Sequence, residues 1–160
     1  MFQHSTAMSL APQSNFSSVL LASDHAGFER KKYIHERLVD AGYTTTDYGP
    51  SVFDPSDDYP GIIRSAVSAL QPEACAIIFG KSGQGEAMVA NRVRGVRAAL
   101  YTGGNLEIVT LAREHNNANV LSVGAGFVGD VEAWEAVTRF LSTPFSNEER
   151  HVRRVRSIDE

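Results

Sequence analysis

The segment Gly80-Lys81-Ser82-Gly83-Gln84-Gly85-Glu86 carries more chemistry for its length than any other part of the chain. It follows a strand-like apolar run, Ala74–Phe79, and leads into a helix-like run, Ala87–Arg92. A glycine-rich turn from strand to helix exposes backbone N–H groups, which with the helix N-terminus form an anion site. Glu86 brings a carboxylate to the same place. A carboxylate starts ionised, as a base must, and desolvation under a bound substrate raises its basicity. An anion cradle with a base at its lip suits a phosphorylated or enolisable substrate. The alternatives are a plain tight turn, and an acid placed only to meet the helix dipole; neither makes use of Ser82.

Two nucleotide motifs are excluded. A P-loop needs a glycine where this chain has Cys75, and the dinucleotide fingerprint needs a third glycine where it has Met88. Other chemistry-bearing groups are spread along the chain. Asp24-His25 closes the first strand-like run and could bind phosphate or orient a hydroxyl, or Asp24 could cap the next helix. Asp57-Asp58 precedes Tyr59 and reads as a helix cap rather than a metal site, because adjacent acids point apart. His115-Asn116-Asn117 follows a helix, where the dipole favours a protonated imidazole; a polar helix stop is the other reading. Arg150 and Arg154 are four apart on one helix face, either a phosphate clamp or a solvated basic face. His4 and His35 read as surface residues, and His151 is left open.

These groups must be positioned by alternating strands and helices. Ser18–Ser23, Tyr43–Tyr48, Ala74–Phe79, Arg97–Tyr101 and Asn119–Val123 read as strands. Helical stripes run through Phe28, Ile34, Leu38 and Ala41, with Gly42 to end them, and through Ile62, Ile63, Ala66, Val67 and Leu70. Further helices are predicted over Asn105–Glu114, after an Asp130 N-cap, and after a Ser146/Glu149 capping box to near Ile158. Gly49–Pro60, with its prolines and aspartates, is a loop. This order predicts an α/β fold: five strands in a mainly parallel sheet, helices on both faces, and an extra C-terminal helix. In such sheets ligands lie at the carboxyl ends of strands, which would gather Asp24, His25 and the glycine turn.

Residues 17–160 read as one domain behind a flexible tail over residues 1–16. The chain has 160 residues, 42% hydrophobic and 21% charged, as a globular domain has. A net charge of −4 speaks against general nucleic-acid binding. No apolar stretch approaches the roughly 20 residues of a membrane span. Residues 1–15 lack the pattern of a signal peptide, so a cytoplasmic location is expected. Cys75 is the one cysteine and reads as a buried core residue.

Taken together, the motifs resemble a known family. Asp24-His25-Ala26-Gly27, Asp58-Tyr59-Pro60, Ser82-Gly83-x-Gly85, Ala90-Asn91-Arg92-Val93, Gly95-Val96-Arg97-Ala98 and Arg113-Glu114-His115-Asn116-Asn117-Ala118 occur in the order seen in type B ribose-5-phosphate isomerases. That family includes galactose-6-phosphate isomerase subunits, and the resemblance spans Val19 to Arg154. It implies a Rossmann-like doubly wound fold and a homodimer or dimer of dimers with active sites shared between subunits. It implies aldose–ketose isomerisation of a phosphosugar through a cis-enediolate, without metal or organic cofactor.

The resemblance also implies roles. Many members carry a cysteine base where this chain has Gly80; a subgroup instead uses a glutamate where this chain has Glu86. Ser82 and the N–H groups from Gly83 and Gly85 to Glu86 would stabilise the enediolate. His115 would open the sugar ring, with Asn116 beside it. Asp24 would bind hydroxyls, and His25, Arg150 and Arg154 would hold the phosphate. Two departures bear on the substrate: Gly126 stands where members commonly have arginine, and Lys81 where glycine is usual. Ribose 5-phosphate and ribulose 5-phosphate are the favoured pair. Tetrose or hexose phosphates, and a non-catalytic phosphosugar-binding regulator, are the alternatives.

Overall fold

The computed structural model describes residues 13–160. Along the chain lie β1 (Ser18–Ser23), α1 (Phe28–Asp40), β2 (Thr45–Asp47), α2 (Tyr59–Ser68), β3 (Ala74–Gly80) and α3 (Gln84–Ala90). They are followed by β4 (Ala98–Tyr101), α4 (Glu107–Asn116), β5 (Val120–Gly124), α5 (Asp130–Ser142) and α6 (Glu149–Arg156). The strands form one sheet in the order β2-β1-β3-β5-β4. Every pairing is parallel. The predicted α/β architecture is thus the observed one. The chain runs outward in opposite directions from β1 and β3, so the crevice between their carboxyl ends is the switch point.

Side-chain alternation divides the core. Cys75, Ile77 and Phe79 of β3 face α1, α4 and α5 with Leu21, Leu121, Val123 and Phe140. Ala74, Ala76 and Ile78 face α2 and α3 with Ile63, Ala66, Val67 and Ala90. Because β3 is covered on both faces, its sequence is a continuous apolar run rather than an alternating one. Cys75 is fully buried, and burial pushes its thiol pKa far up, so it is a core residue and not a nucleophile.

Several local expectations are corrected. β2 is only three residues, because it lies at the edge and pairs with β1 alone. Asn105 does not begin α4; its Oδ1 accepts the Glu107 N–H at 2.9 Å just ahead of the helix. Asp130 lies inside α5 behind a Gly129 cap, and its carboxylate pairs with Arg30. The Ser146/Glu149 capping box does not form. Ser146 Oγ accepts the Glu148 N–H at 3.3 Å, while Glu149 pairs with Arg153 one turn on.

The tail expected over residues 1–16 lies outside the described residues as far as residue 12. The described residues begin at Gln13. Asn15 donates its backbone and side-chain N–H groups to Leu141 O, and Phe16 stacks on Phe140 at 5.8 Å. The buried Arg113 guanidinium lies 4.7 Å from the Phe16 ring centroid, a cation–π contact that seals this edge.

Ile77 is fully buried at the middle of the central strand. Ile77→Ala should cost about 2–5 kcal/mol in urea unfolding, from lost burial plus the cavity left behind.

Candidate active site

The glycine turn leaves β3 at Gly80, which is in register with Gly124 of β5. The two loops stay paired beyond the strands: Ala125 N–H donates to Gly80 O at 2.8 Å and Gly126 N–H to Lys81 O at 2.9 Å. Gly83 has φ +74°, the left-handed region that glycine adopts without strain, and α3 starts immediately after it. Buried Ser122 Oγ donates to Gly83 O at 2.7 Å and fixes the turn from below.

Glu86 falls in the first turn of α3 and is only 4% exposed. Its carboxylate fills the space over Gly80: a Cβ at residue 80 would overlap both carboxylate oxygens and Cδ. Any side chain at residue 80 and the buried Glu86 carboxylate would therefore claim one volume. Burial raises the Glu86 pKa; its own backbone N–H lowers it, and the charge of nearby Asp24 raises it further. The result is a base stronger than an ordinary carboxylate. Ser82 is half-buried and receives only a long 3.4 Å bond from Gln84 N–H, so its hydroxyl can turn to a ligand. Gly85 lies against the Tyr59 ring.

Asp24 and His25 follow β1 on the neighbouring strand end, as expected. Asp24 caps the short turn behind it, accepting the Gly27 N–H at 3.1 Å. His25 is bound twice by Asp57, through its backbone N–H at 3.0 Å and through Nδ1 at 2.7 Å. That hydrogen bond is the main cause of a raised His25 pKa, with the charges of Asp24, Asp57 and Asp54 adding to it and solvent loss opposing it. Asp57 was expected to cap a helix; instead it orients a histidine 32 residues away. Asp58 occupies the N-cap of α2 without a side-chain bond. No spacing rule could have found the Asp57–His25 pair, because the loop that carries Asp57 reaches His25 only in the folded state. Asp24, His25 and Asp57 bring ligand-type atoms within 4.8 Å of one another, but a hydrogen bond already joins two of the three.

The other expected site residues lie elsewhere. α4 follows β4 and runs back antiparallel to it, so its last residues return to the amino ends of the strands. Asn117, its left-handed cap, accepts the Arg97 Nε–H at 2.9 Å just ahead of β4. His115 and Asn116 are exposed there. α6 packs on α4, and buried His151 places its ring 4.3 Å from that of His115. Arg150 and Arg154 are exposed on α6, and Arg150 Nε–H donates to Glu148 at 2.9 Å. One chain thus gathers Asp24, His25, Ser82, Gly83, Gly85 and Glu86 at the carboxyl end of the sheet. It holds His115, Asn116, Arg150 and Arg154 at the opposite end.

A desolvated carboxylate on a glycine-rich turn, set on the switch point of a doubly wound sheet, places the molecule among α/β enzymes that move protons. The model of the ribose/galactose isomerase family matches residues 19–158, and the chain belongs to that family. It is 40% identical over 139 residues to ribose-5-phosphate isomerase B of Mycolicibacterium paratuberculosis, covering 86% of each chain. It is 38% identical to the probable ribose-5-phosphate isomerase B of Mycoplasma genitalium, over 88% of this chain and 93% of that one. The structure of ribose 5-phosphate isomerase B from Anaplasma phagocytophilum superposes with TM-score 0.86 at 31% identity, over 91% of this chain and 98% of that one. The Mycoplasma genitalium enzyme with bound ribulose-5-phosphate superposes with TM-score 0.83 at 37% identity, over 88% and 93%.

A carboxylate whose native pKa is raised stabilises the fold only while protonated, and that stability is lost as pH rises through the raised pKa. Glu86→Gln removes the penalty. The variant should unfold at higher denaturant than wild type near neutral pH, with the gap closing as pH falls below the ordinary glutamate range.

Proposed function

We propose that this protein interconverts ribose 5-phosphate and ribulose 5-phosphate through a cis-enediolate, with Glu86 as the base. The observation that carries this reading is the Glu86 carboxylate, buried over Gly80 with a raised pKa. Moving a proton between C1 and C2 needs one base able to take it and return it, beside donors for the developing oxyanion. Ser82 and the N–H groups of Gly83 to Glu86 fill the donor role. Asp24 takes sugar hydroxyls. His25, whose protonated form the Asp57 hydrogen bond favours, grips the phosphate, whose remote binding energy orients a small substrate. Base, oxyanion donors and phosphate grip are all side-chain or backbone groups, so the reaction proceeds without metal or organic cofactor.

His115 opens the furanose ring with Asn116 beside it, and Arg150 and Arg154 clamp the phosphate, but from a second copy of the chain. Within one copy these residues lie at the wrong end of the sheet for Glu86. A twofold axis beside edge strand β4 reverses strand direction and brings the partner's lower end to this chain's upper end. Met88, Leu100 and Ile108 are exposed around that edge, at 65%, 37% and 54%, and supply an apolar surface for the contact. The working unit is a homodimer, alone or paired into a dimer of dimers. No helix among the described residues is long and apolar enough to cross a membrane, and we place the enzyme in the cytoplasm.

A second reading keeps the chemistry and changes the chain length of the sugar. Residue 126 has no side chain, and the stem of Lys81 lies where one would be. A shifted cation at this rim would favour a four- or six-carbon phosphate. Comparing kcat/KM for four-, five- and six-carbon phosphates decides between the readings, with a five-carbon optimum expected.

Ribose 5-phosphate conversion should be unchanged in EDTA, and Glu86→Gln should lower kcat about 100- to 10,000-fold. An unaffected Glu86→Gln variant would remove Glu86 as the base. Shared sites make a further prediction. Inactive Glu86→Gln and His115→Ala proteins, unfolded together and refolded as a random mixture, should regain about a quarter of wild-type activity. Half of the dimers are then mixed, and each mixed dimer has one intact site of two.

A further inference from the structure

His151 is a buried polar group that the mechanism above leaves unused. It is 3% exposed, yet it lies on a helix whose other faces are charged and open. Its Nδ1 is 2.7 Å from Ser146 Oγ, which also accepts the Glu148 N–H. Its ring lies 4.3 Å from the His115 ring at an interplanar angle of 34°, a tilted stack. The Ser146 N–H in turn donates to Glu114 O, so the loop carrying Ser146 is tied to the residue before His115. The connection therefore closes on itself: α4 through Glu114 to Ser146, Ser146 to the His151 ring, and that ring back to His115.

We propose that His151 is a positioning residue for ring opening: held by Ser146, its ring fixes the exposed His115 imidazole in the orientation that meets the sugar. The inference rests on the isomerase reading above and adds to it a second histidine with a separate task. Opening a furanose breaks the C1–O4 bond, with O4 gaining a proton as O1 loses one. The imidazole that serves O4 must point along one line and must be able to carry positive charge. An exposed side chain at a helix end has several rotamers, and a neighbouring ring that cannot itself turn removes most of them.

The charges facing His151 make it suited to this task. His115 on α4 and Arg150 and Arg154 on α6 disfavour a proton on it, as burial does, while Glu148 favours one. Its pKa is lowered on balance, with burial the largest cause and His115 next. His151 is therefore suited to act through its fixed ring and its Ser146 bond rather than as a second cation.

The test separates ring opening from the rest of catalysis. Ribose 5-phosphate arrives as a ring, whereas an acyclic four-carbon phosphohydroxamate resembles the enediolate and needs no opening. In His151→Ala, kcat/KM for ribose 5-phosphate should fall about tenfold or more, while the hydroxamate Kd stays within about twofold of wild type. His151→Phe, which keeps the aromatic face, should recover most of the lost turnover. Ser146→Ala, which frees the ring, should show the same split as His151→Ala in milder form, and it carries the test if His151→Ala does not fold. The role is overturned if turnover is unchanged, if hydroxamate affinity falls in step with turnover, or if His151→Phe recovers nothing. Wild-type protein that neither converts ribose 5-phosphate nor binds the hydroxamate overturns the isomerase reading itself.

Discussion

A carboxylate can lie buried at the top of this sheet because residue 80 has no side chain. The constraint is steric before it is chemical: any Cβ at Gly80 would occupy the volume of the Glu86 carboxyl group. Much of the surrounding structure maintains that vacancy. Continued pairing of the 80–82 and 124–126 loops fixes Gly80, and Ser122 fixes the carbonyl of Gly83. The left-handed Gly83 turns the chain so that α3 starts with Glu86 facing inward. Burial then makes the ionised form expensive, and the same expense makes the group a better base. On the proposed mechanism, stability and catalysis are set against each other at one atom group, as is common where strain or desolvation serves function.

The second organising fact is directional. In a parallel sheet every strand end of one kind lies on one side, and each helix carries the chain back to the other. Residues at strand ends, such as Asp24 and the glycine turn, collect above the sheet. Residues at the end of α4, such as His115, must collect below it. Glu86 and His115 are thus placed at opposite ends by topology alone, and on the proposed mechanism a reversed second copy is the simplest way to unite them. Each end also has its own bound histidine: Asp57 fixes His25 above, and Ser146 fixes His151 below. The acidic partner raises the pKa of His25, whereas burial among cations lowers that of His151, so the two imidazoles are shifted in opposite directions in one fold.

The alternation of apolar runs with helical stripes was legible because period and composition are local properties, and they placed each strand and helix to within a few residues. The glycine turn, Glu86, Asp24, His25 and His115 were legible too, since their chemistry is written in residue type and short spacing. The Asp57–His25 bond and the His115–His151 stack were not. They join residues 32 and 36 positions apart through loop and helix packing, for which a sequence carries no spacing signal. The capping predictions at Asp130 and Ser146 failed for different reasons: Asp130 found a tertiary partner in Arg30, whereas Ser146 kept a bond to the Glu148 N–H and Glu149 turned to Arg153 instead of closing the box.

What the sequence determined by itself is the parallel α/β order, the turn that can present an acid to an anion, and the family to which the motifs pointed. Tertiary structure alone decided that Glu86 is desolvated over Gly80, that Asp57 and not a neighbour in sequence holds His25, and that the expected site residues stand at opposite ends of one chain. The physical reason is the range of the interactions. Backbone hydrogen bonding and hydrophobic periodicity act over a few residues, whereas desolvation and side-chain packing depend on everything that folding brings within a few ångströms.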